Sequence, residues 1–228
     1  MNKFERVETK YVLTKDEYES LMKKASKHLL KDTYFKSTIN NIYFDNDNYD
    51  LINASIDKPK YKEKVRLRSY NTPKLSDYVF FEIKTKFNGV VYKRRVKIKL
   101  SEYYDYLINH KFDNDNQIMK EIDYLIRKYN LKPKLMLSYD RTSYYDRDDK
   151  NFRITFDKNI RSRNDELNLE YGDAGKLYFD DDMYVMELKS LGGLPLWFTK
   201  ILSNLKIYPR SFSKYGNIYK KERGVNYV

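Results

Sequence analysis

Through much of this chain, apolar residues recur at every second position. In KVRLRSY (Lys64–Tyr70), Val65 and Leu67 alternate with Lys64, Arg66 and Arg68. In FFEIKTKFNGVVYKRRVKIKL (Phe80–Leu100), Phe81 and Ile83 alternate with Glu82, Lys84 and Lys86. A period of two is the signature of a strand with one buried face. It predicts strands over Phe4–Leu13, Ser37–Asp45, Tyr61–Tyr70, Asp77–Phe87, Val90–Leu100, Lys134–Asp146, Phe152–Arg163 and Tyr184–Leu191. Helical spacing intervenes. Thr14 followed by Glu17 reads as a capping box, opening a helix striped by Leu21, Met22, Ala25 and Leu29. Ser101 is expected to cap a Tyr-rich helix. Asn116–Tyr129 turns Ile118, Ile122, Leu125 and Ile126 inward, and Leu194–Leu205 is amphipathic. Asn46–Ile56 reads as a turn-rich segment and Asn164–Asp182 as an acidic loop.

Asn88-Gly89 is a strong two-residue hairpin signal. Counting outward from it, Phe87 faces Val90, Lys84 faces Lys93, Glu82 faces Arg95 and Phe81 faces Val96. Directly opposed residues share a face of the sheet. One face therefore collects Glu82, Lys84, Lys93 and Arg95, and the other collects Phe81, Ile83 and Val96. The same split recurs with Arg6, Glu8 and Lys10, with Arg141, with Arg153 and Asp157, and with Glu187 and Lys189. Helix stripes need the apolar faces as partners, so the charged faces look elsewhere. Either they meet water as one open polar sheet, or the sheet curls and they face one another. A lumen holding so many cations makes sense only around a strongly negative ligand.

Composition sharpens this picture. The chain has 228 residues, with 45 Lys and Arg against 33 Asp and Glu, a formal net charge of +12. That surplus points to a polyanion, although a chain with 24 Tyr and abundant Asn and Ile also fits a Lys-favouring codon bias. No aromatic-rich RNA motif accompanies the basic strands, so nucleic acid is not the expected partner. The absence of cysteine excludes disulfides and thiolate metal sites, and with only His28 and His110 a His-based centre is not expected. MNKFERVETK lacks the apolar core of a signal peptide, and no run approaches the ~20 apolar residues of a membrane span. The expectation is one cytoplasmic domain spanning 1–228, with no repeat or linker.

Several stretches together resemble a known family. They are RVETKY (Arg6–Tyr11), KVRLR (Lys64–Arg68), FEIKTK (Phe81–Lys86), VYKRRV (Val91–Val96), YDRTSY (Tyr139–Tyr144), FRITFD (Phe152–Asp157), MELK (Met186–Lys189) and FSKY (Phe212–Tyr215). In this order, over nearly the whole chain, they resemble the VTC domain. That is the polyphosphate polymerase domain of the vacuolar transporter chaperone complex, within the triphosphate tunnel metalloenzymes. A related branch opens with Glu-x-Glu-x-Lys; Arg6 at the first position favours the VTC branch. The resemblance implies an α+β fold: an antiparallel eight-stranded β-barrel tunnel with a charged interior and helices outside. It implies metal-dependent phosphoryl transfer on triphosphate or polyphosphate, with ATP-driven polyphosphate synthesis favoured. Tripolyphosphatase or nucleoside triphosphatase activity, or polyphosphate binding without catalysis, stand as alternatives. ATP or another nucleoside triphosphate and inorganic polyphosphate would be the ligands.

By the same resemblance, Lys10, Arg66, Arg68, Lys84, Lys93, Arg141, Arg153 and Lys214 would hold phosphates; Arg6, Arg95 and Lys189, on the same charged faces, are expected to be cofactor-binding. Glu187 would be the metal ligand. A hard cation such as Mn²⁺ or Mg²⁺ takes one or two carboxylates beside phosphate oxygens and water. Glu82 and Glu8 are the further candidates, with an internal salt bridge as the competing reading for each.

Overall fold

A computed structural model of the chain describes residues 6–57, 59–88, 90–110, 116–179 and 182–224, with the side chains of Arg6 and Val7 left out. The described residues form nine strands: β1 (Arg6–Leu13), β2 (Leu29–Asp45), β3 (Tyr61–Tyr70), β4 (Tyr78–Phe87), β5 (Val90–Lys99), β6 (Lys132–Asp146), β7 (Arg153–Arg163), the two-residue β8 (Lys176–Leu177) and β9 (Tyr184–Leu191). Six helices join them: α1 (Lys15–Ala25), α2 (Asp50–Ile56), α3 (Leu100–Asn109), α4 (Gln117–Tyr129), α5 (Leu196–Asn204) and α6 (Lys214–Glu222). Hydrogen-bonded neighbours follow the order β1-β9-β7-β6-β2-β3-β4-β5, with β8 on β7. None of the described helices is long and apolar enough to cross a membrane.

The chain resolves into two compact units, each built from three stretches. The first unit draws on Met1–Ser37, Tyr139–Ile160 and Leu177–Ser213. β9 pairs antiparallel with both β1 and β7, so that Tyr11, Ile154, Phe156, Met186 and Leu188 share one face. These residues pack with Leu13, Leu21, Ala25, Leu29, Phe198 and Leu202 into an apolar core. Leu21 and Ala25 come from α1, which the expected capping box starts: Thr14 Oγ1 accepts the Glu17 amide at 3.2 Å, and Glu17 Oε2 accepts the Thr14 amide at 2.8 Å. Leu29 does bury against this core, but from the first residue of β2 and not from the helix. A residue four past Ala25 extends a helical stripe equally well whether or not the helix continues, so spacing alone misassigned it.

The second unit draws on Thr38–Ser138, Arg161–Lys176 and Lys214–Val228. The β4–β5 register is the one counted from the sequence: Phe87 opposite Val90, Lys84 opposite Lys93, Glu82 opposite Arg95 and Phe81 opposite Val96. Asn88 takes the left-handed conformation, φ 46°, that such a turn requires; Gly89 lies outside the described residues. Val65, Leu67, Val79, Phe81, Ile83, Val96 and Ile98 form the apolar face, covered by Tyr103 and Tyr106 of α3 and Met119 and Ile122 of α4. α4 starts where Asn116 Oδ1 accepts the amides of Ile118 and Met119. α3 begins at Leu100, two residues before the start that a Ser101 cap implies. Its cap is Lys99, whose amide donates to Glu102, so Ser101 lies within the first turn.

Two helices stand where none was expected. α2 replaces most of the turn-rich segment after β2. Asp45, fully buried, accepts the amides of Leu51 and Ile52 at 3.0 and 2.9 Å and so caps that helix from outside it. α6 carries a glycine in its first turn, Gly216, which weakens its signal. The acidic stretch after β7 is a loop, as expected, apart from a single 3₁₀ turn at Leu169–Tyr171 and β8. Its course is set by Arg163, whose guanidinium donates to the carbonyls of Glu166, Asn168, Gly172 and Ala174 at 2.7–3.1 Å.

Candidate functional site

The polar faces of the strands carry the candidate residues, and each unit has its own set. In the second unit, alternation along four strands brings Tyr43, Arg66, Glu82 and Arg95 into one cross-strand row. Lys64, Lys84 and Lys93 form the next row, and Asn41, Arg68 and Phe80 the row on the other side.

Glu82, at 0% exposure, is the hub. Arg66 donates to its Oε2 through Nε at 2.8 Å and lies 2.6 Å away through a terminal nitrogen. Lys93 Nζ stands 2.8 Å from Oε1. Arg95, the residue directly opposite Glu82, instead lays its guanidinium 4.5 Å above the Phe80 ring. Arg68 is buried, its Nε donating to Asn41 Oδ1 at 2.7 Å. Lys84 is half-buried in this face, and Lys214 is half-buried at the first turn of α6.

The electrostatics of this cluster have one sign. Burial alone would push the Glu82 carboxyl up, but Arg66, Arg68 and Lys93 pull it down to about 2. Burial would likewise raise the Tyr43 phenol, yet Arg66, Lys64 and Arg68 bring it to about 8. Lys93 is pushed below its ordinary value, first by partial burial and then by Arg68 and Arg66, against the pull of Glu82. Two buried acids made more acidic report a positive field, while the lowering at Lys93 is chiefly the effect of burial.

In the first unit, Lys10 pairs in register with Glu187, and Glu8 with Lys189; β7 adds Thr155 opposite Glu187 and Arg153 opposite Lys189. Glu187 is nearly buried and lies 2.7 Å from Lys189 Nζ. Lys10 Nζ is 3.5 Å from Glu8 and donates to the Phe212 carbonyl at 3.4 Å. Arg141 forks onto the fully buried Asp157 with bonds of 2.6 and 2.8 Å. Burial works against the Arg141 charge, but Asp157 and Tyr139, with a contribution from Glu187, hold its pKa well above the ordinary value. Arg153 is 45% exposed and pairs with Asp32 near the start of β2. Arg6 sits on β1 in register with Leu191, its side chain outside what is described.

Among the described residues, no three His, Cys, Asp or Glu side chains converge on a metal position. The residues suit a cation shared with a phosphate ligand and not one caged by protein alone. Glu187, with Glu8 one register step away, has the donor chemistry for that. Glu82 does not, because cations occupy both of its oxygens; the salt-bridge reading describes it.

Asn41, Tyr43 and Asp157 were not picked out as site residues from the sequence. Asn41 and Tyr43 alternate with Ile42 and Phe44, which is a signal of the right kind, but neutral side chains escape a count of charges. Asp157 falls on the charged face and carries no phosphate-binding chemistry; its part is to hold Arg141.

The pairing separates two classes of arginine. Arg66→Ala strips a buried carboxylate of its main partner and is expected to lose about 3 kcal/mol of stability. Arg153→Ala removes an exposed pair and should lose less than about 1 kcal/mol. Denaturant melts of the two variants check this; equal losses would contradict it.

The VTC domain family model matches residues 5–222. Vacuolar transporter chaperone complex subunit 4 of Schizosaccharomyces pombe is 26% identical over 147 residues, which are 54% of this chain and only 20% of that protein. In fold, the chain resembles a candidate adenylate cyclase from Bacillus halodurans at 16% identity and TM-score 0.56, over 93% of this chain and 96% of the other. It also resembles a candidate adenylyl cyclase from Hippeastrum with a dominant triphosphatase activity, at 14% identity and TM-score 0.53, over 96% of each chain. These likenesses show the fold expected from the sequence, the antiparallel α+β fold of the tunnel-type adenylate cyclase-like proteins. With the family model spanning all but a few residues at each end, the chain belongs to the VTC domain family.

Proposed function

We propose that the basic strand faces bind the phosphates of ATP and of inorganic polyphosphate, and that the protein transfers phosphoryl groups with the help of a divalent cation. The favoured reaction is polyphosphate synthesis from ATP with release of ADP, in keeping with the polymerase domain that the VTC family resemblance implies. The observation that carries this reading is the positive field around Glu82, strong enough to hold two buried acids below their ordinary values. A polyanion is the ligand that such a field favours.

Phosphoryl transfer asks for positioning and charge neutralisation more than for covalent help. Arg66, Arg68 and Arg141 present planar forks to phosphate oxygens, while Lys10, Lys84, Lys93 and Lys214 act as point charges. Arg153, Arg6, Arg95 and Lys189 extend the cationic surface. Glu82 and Asp157 hold Arg66 and Arg141 in fixed orientations before any ligand arrives. Glu187, with Glu8 beside it, would hold Mn²⁺ or Mg²⁺. When bound, the metal supplies charge neutralisation where protein carboxylate and phosphate would otherwise repel.

Incubation with ATP and Mn²⁺ or Mg²⁺, reading ADP, free phosphate and polymer separately, tests the assignment. ADP with polymer is the expected result. Free phosphate without polymer would replace synthesis by hydrolysis, the reading that the triphosphatase activity of the Hippeastrum neighbour favours. Absence of turnover would leave a polyphosphate-binding module. Tripolyphosphate affinity, measured by calorimetry, should fall steeply as salt rises, because several ion contacts are screened together. A salt-independent affinity would rule out the charged faces as the binding surface.

A further inference from the structure

We infer that Tyr43 is a positioning residue for the phosphate site, one end of a side-chain relay that runs Arg66–Tyr43–Tyr215–Asp45. The inference rests on the proposed phosphate-binding role of Arg66. Arg66 is gripped from two sides: Glu82 takes one edge of the guanidinium, and the Tyr43 hydroxyl accepts from a terminal nitrogen at 3.2 Å. Tyr43 is almost fully buried and stacks on Tyr215, with ring centroids 4.7 Å apart and planes 28° apart. The Tyr215 hydroxyl donates to Asp45 Oδ2 at 3.3 Å. Asp45 is itself immobilised by the amides of Leu51 and Ile52 at the start of α2.

The relay joins two candidate ligands that are far apart in sequence. Tyr215 follows Lys214 directly at the start of α6, so the stack that fixes Tyr43 also fixes the helix turn presenting Lys214. Two of the proposed phosphate contacts, Arg66 from β3 and Lys214 from α6, are thereby set against one buried anchor. The Nε and terminal-nitrogen contacts to Glu82 converge on one carboxylate oxygen, Oε2, and leave the far edge of the guanidinium to Tyr43. The bond to Tyr43 fixes that edge before ligand binds, and pre-organisation of this kind strengthens binding.

The groups facing Tyr43 give the relay a further signature. Arg66, Lys64 and Arg68 approach from β3, Tyr215 from α6, and Glu82 from β4 through Arg66. Below about pH 8 the phenol is neutral and accepts from Arg66. Above it the phenolate pairs with Arg66 and cancels charge that phosphate would otherwise meet. Polyanion binding should therefore weaken as pH rises through this range. Deprotonation of Lys93, whose pKa burial lowers, weakens binding in the same direction as pH rises.

The test compares wild type with Tyr43→Phe, which keeps the ring and its stack and removes the hydroxyl. Tripolyphosphate Kd is measured by calorimetry from pH 6 to 9.5, with a melting curve for each protein. The expected result is an unchanged fold, about tenfold weaker binding at pH 7 from loss of one charge-assisted bond, and disappearance of the decline centred near pH 8. Should Tyr43→Phe not fold, Tyr215→Phe is read instead: it frees the relay from Asp45 while leaving the Arg66–Tyr43 bond, so weaker tripolyphosphate binding at pH 7 with the pH-dependent decline retained is expected, and wild-type affinity would overturn the inference. Equal affinities and equal pH profiles for variant and wild type would overturn the inference while leaving phosphate binding intact. A wild type that binds no tripolyphosphate would overturn both.

Discussion

Glu82→Gln should lower the melting temperature by about 6–12 °C, corresponding to about 3 kcal/mol in a chain of this size. The substitution keeps the shape of the side chain and removes the charge that Arg66 and Lys93 share. Those cations, with Arg68 nearby, would then repel one another with no carboxylate between them. The acid response carries the same information. The folded-state pKa of Glu82, about 2, lies below its ordinary 4.5. Its contribution is therefore complete above pH 4.5 and is lost as pH falls towards 2. The wild type should lose about 3 kcal/mol over that window in excess of what Glu82→Gln loses. Saturating tripolyphosphate should raise the melting temperature of the variant more than that of the wild type, because the ligand supplies the missing negative charge. An unchanged melting point would mean that the strand packing, and not this ion cluster, holds the second unit together.

The largest effect on activity is expected at Glu187. Glu187→Gln should keep the fold and bind tripolyphosphate in the absence of metal at least as well as wild type, while metal-dependent turnover falls by at least about 100-fold. The reasoning is electrostatic. A nearly buried carboxylate beside Lys10 and Lys189 is tolerated without ligand, but it opposes an incoming triphosphate. A divalent cation turns that repulsion into a bridge. Rates measured across Mn²⁺ and Mg²⁺ titrations decide the matter. Wild-type rates in the variant would return Glu187 to the role of partner for Lys189.

Where alternation is clean the sequence is transparent. β3, β4, β5 and β9 each carry a run of period two, at Val65–Arg68, Phe81–Lys84, Val96–Lys99 and Met186–Lys189, because one face there lies in a core and the other faces charge, and the hairpin register then follows by counting from Asn88. The N-terminal half of β2 was missed for the opposite reason. From Leu30 to Ser37 neither face is consistently apolar, so the strand leaves no period to detect. The short α2 is held by Asp45, outside the helix, and α6 by aromatic burial around Gly216; tertiary contacts specify both, and local pattern does not. The charged face was legible because like charges recurred at alternate positions. Its internal order was not. That Glu82 would bind Arg66 and Lys93 while Arg95 turned to Phe80, or that Arg153 would find Asp32, depends on the reach of individual side chains. Tyr43 was hidden because its importance comes from what it touches.

The loop after β7 is held largely by main-chain contacts to preceding side chains. Arg163 addresses it chiefly through main-chain oxygens at four positions, and every amino acid supplies the same oxygen. The path of residues 164–174 is thus encoded in good part outside it, in Arg163 and in Arg161, which donates to the Asp173 carbonyl at 2.7 Å. Drift is tolerated where a residue offers Arg163 only a carbonyl, whereas Leu169, fully buried in the core, and Gly172, at φ 77°, are fixed by their own demands, so the fold constrains the length of this segment and those two positions more tightly than the rest of its composition.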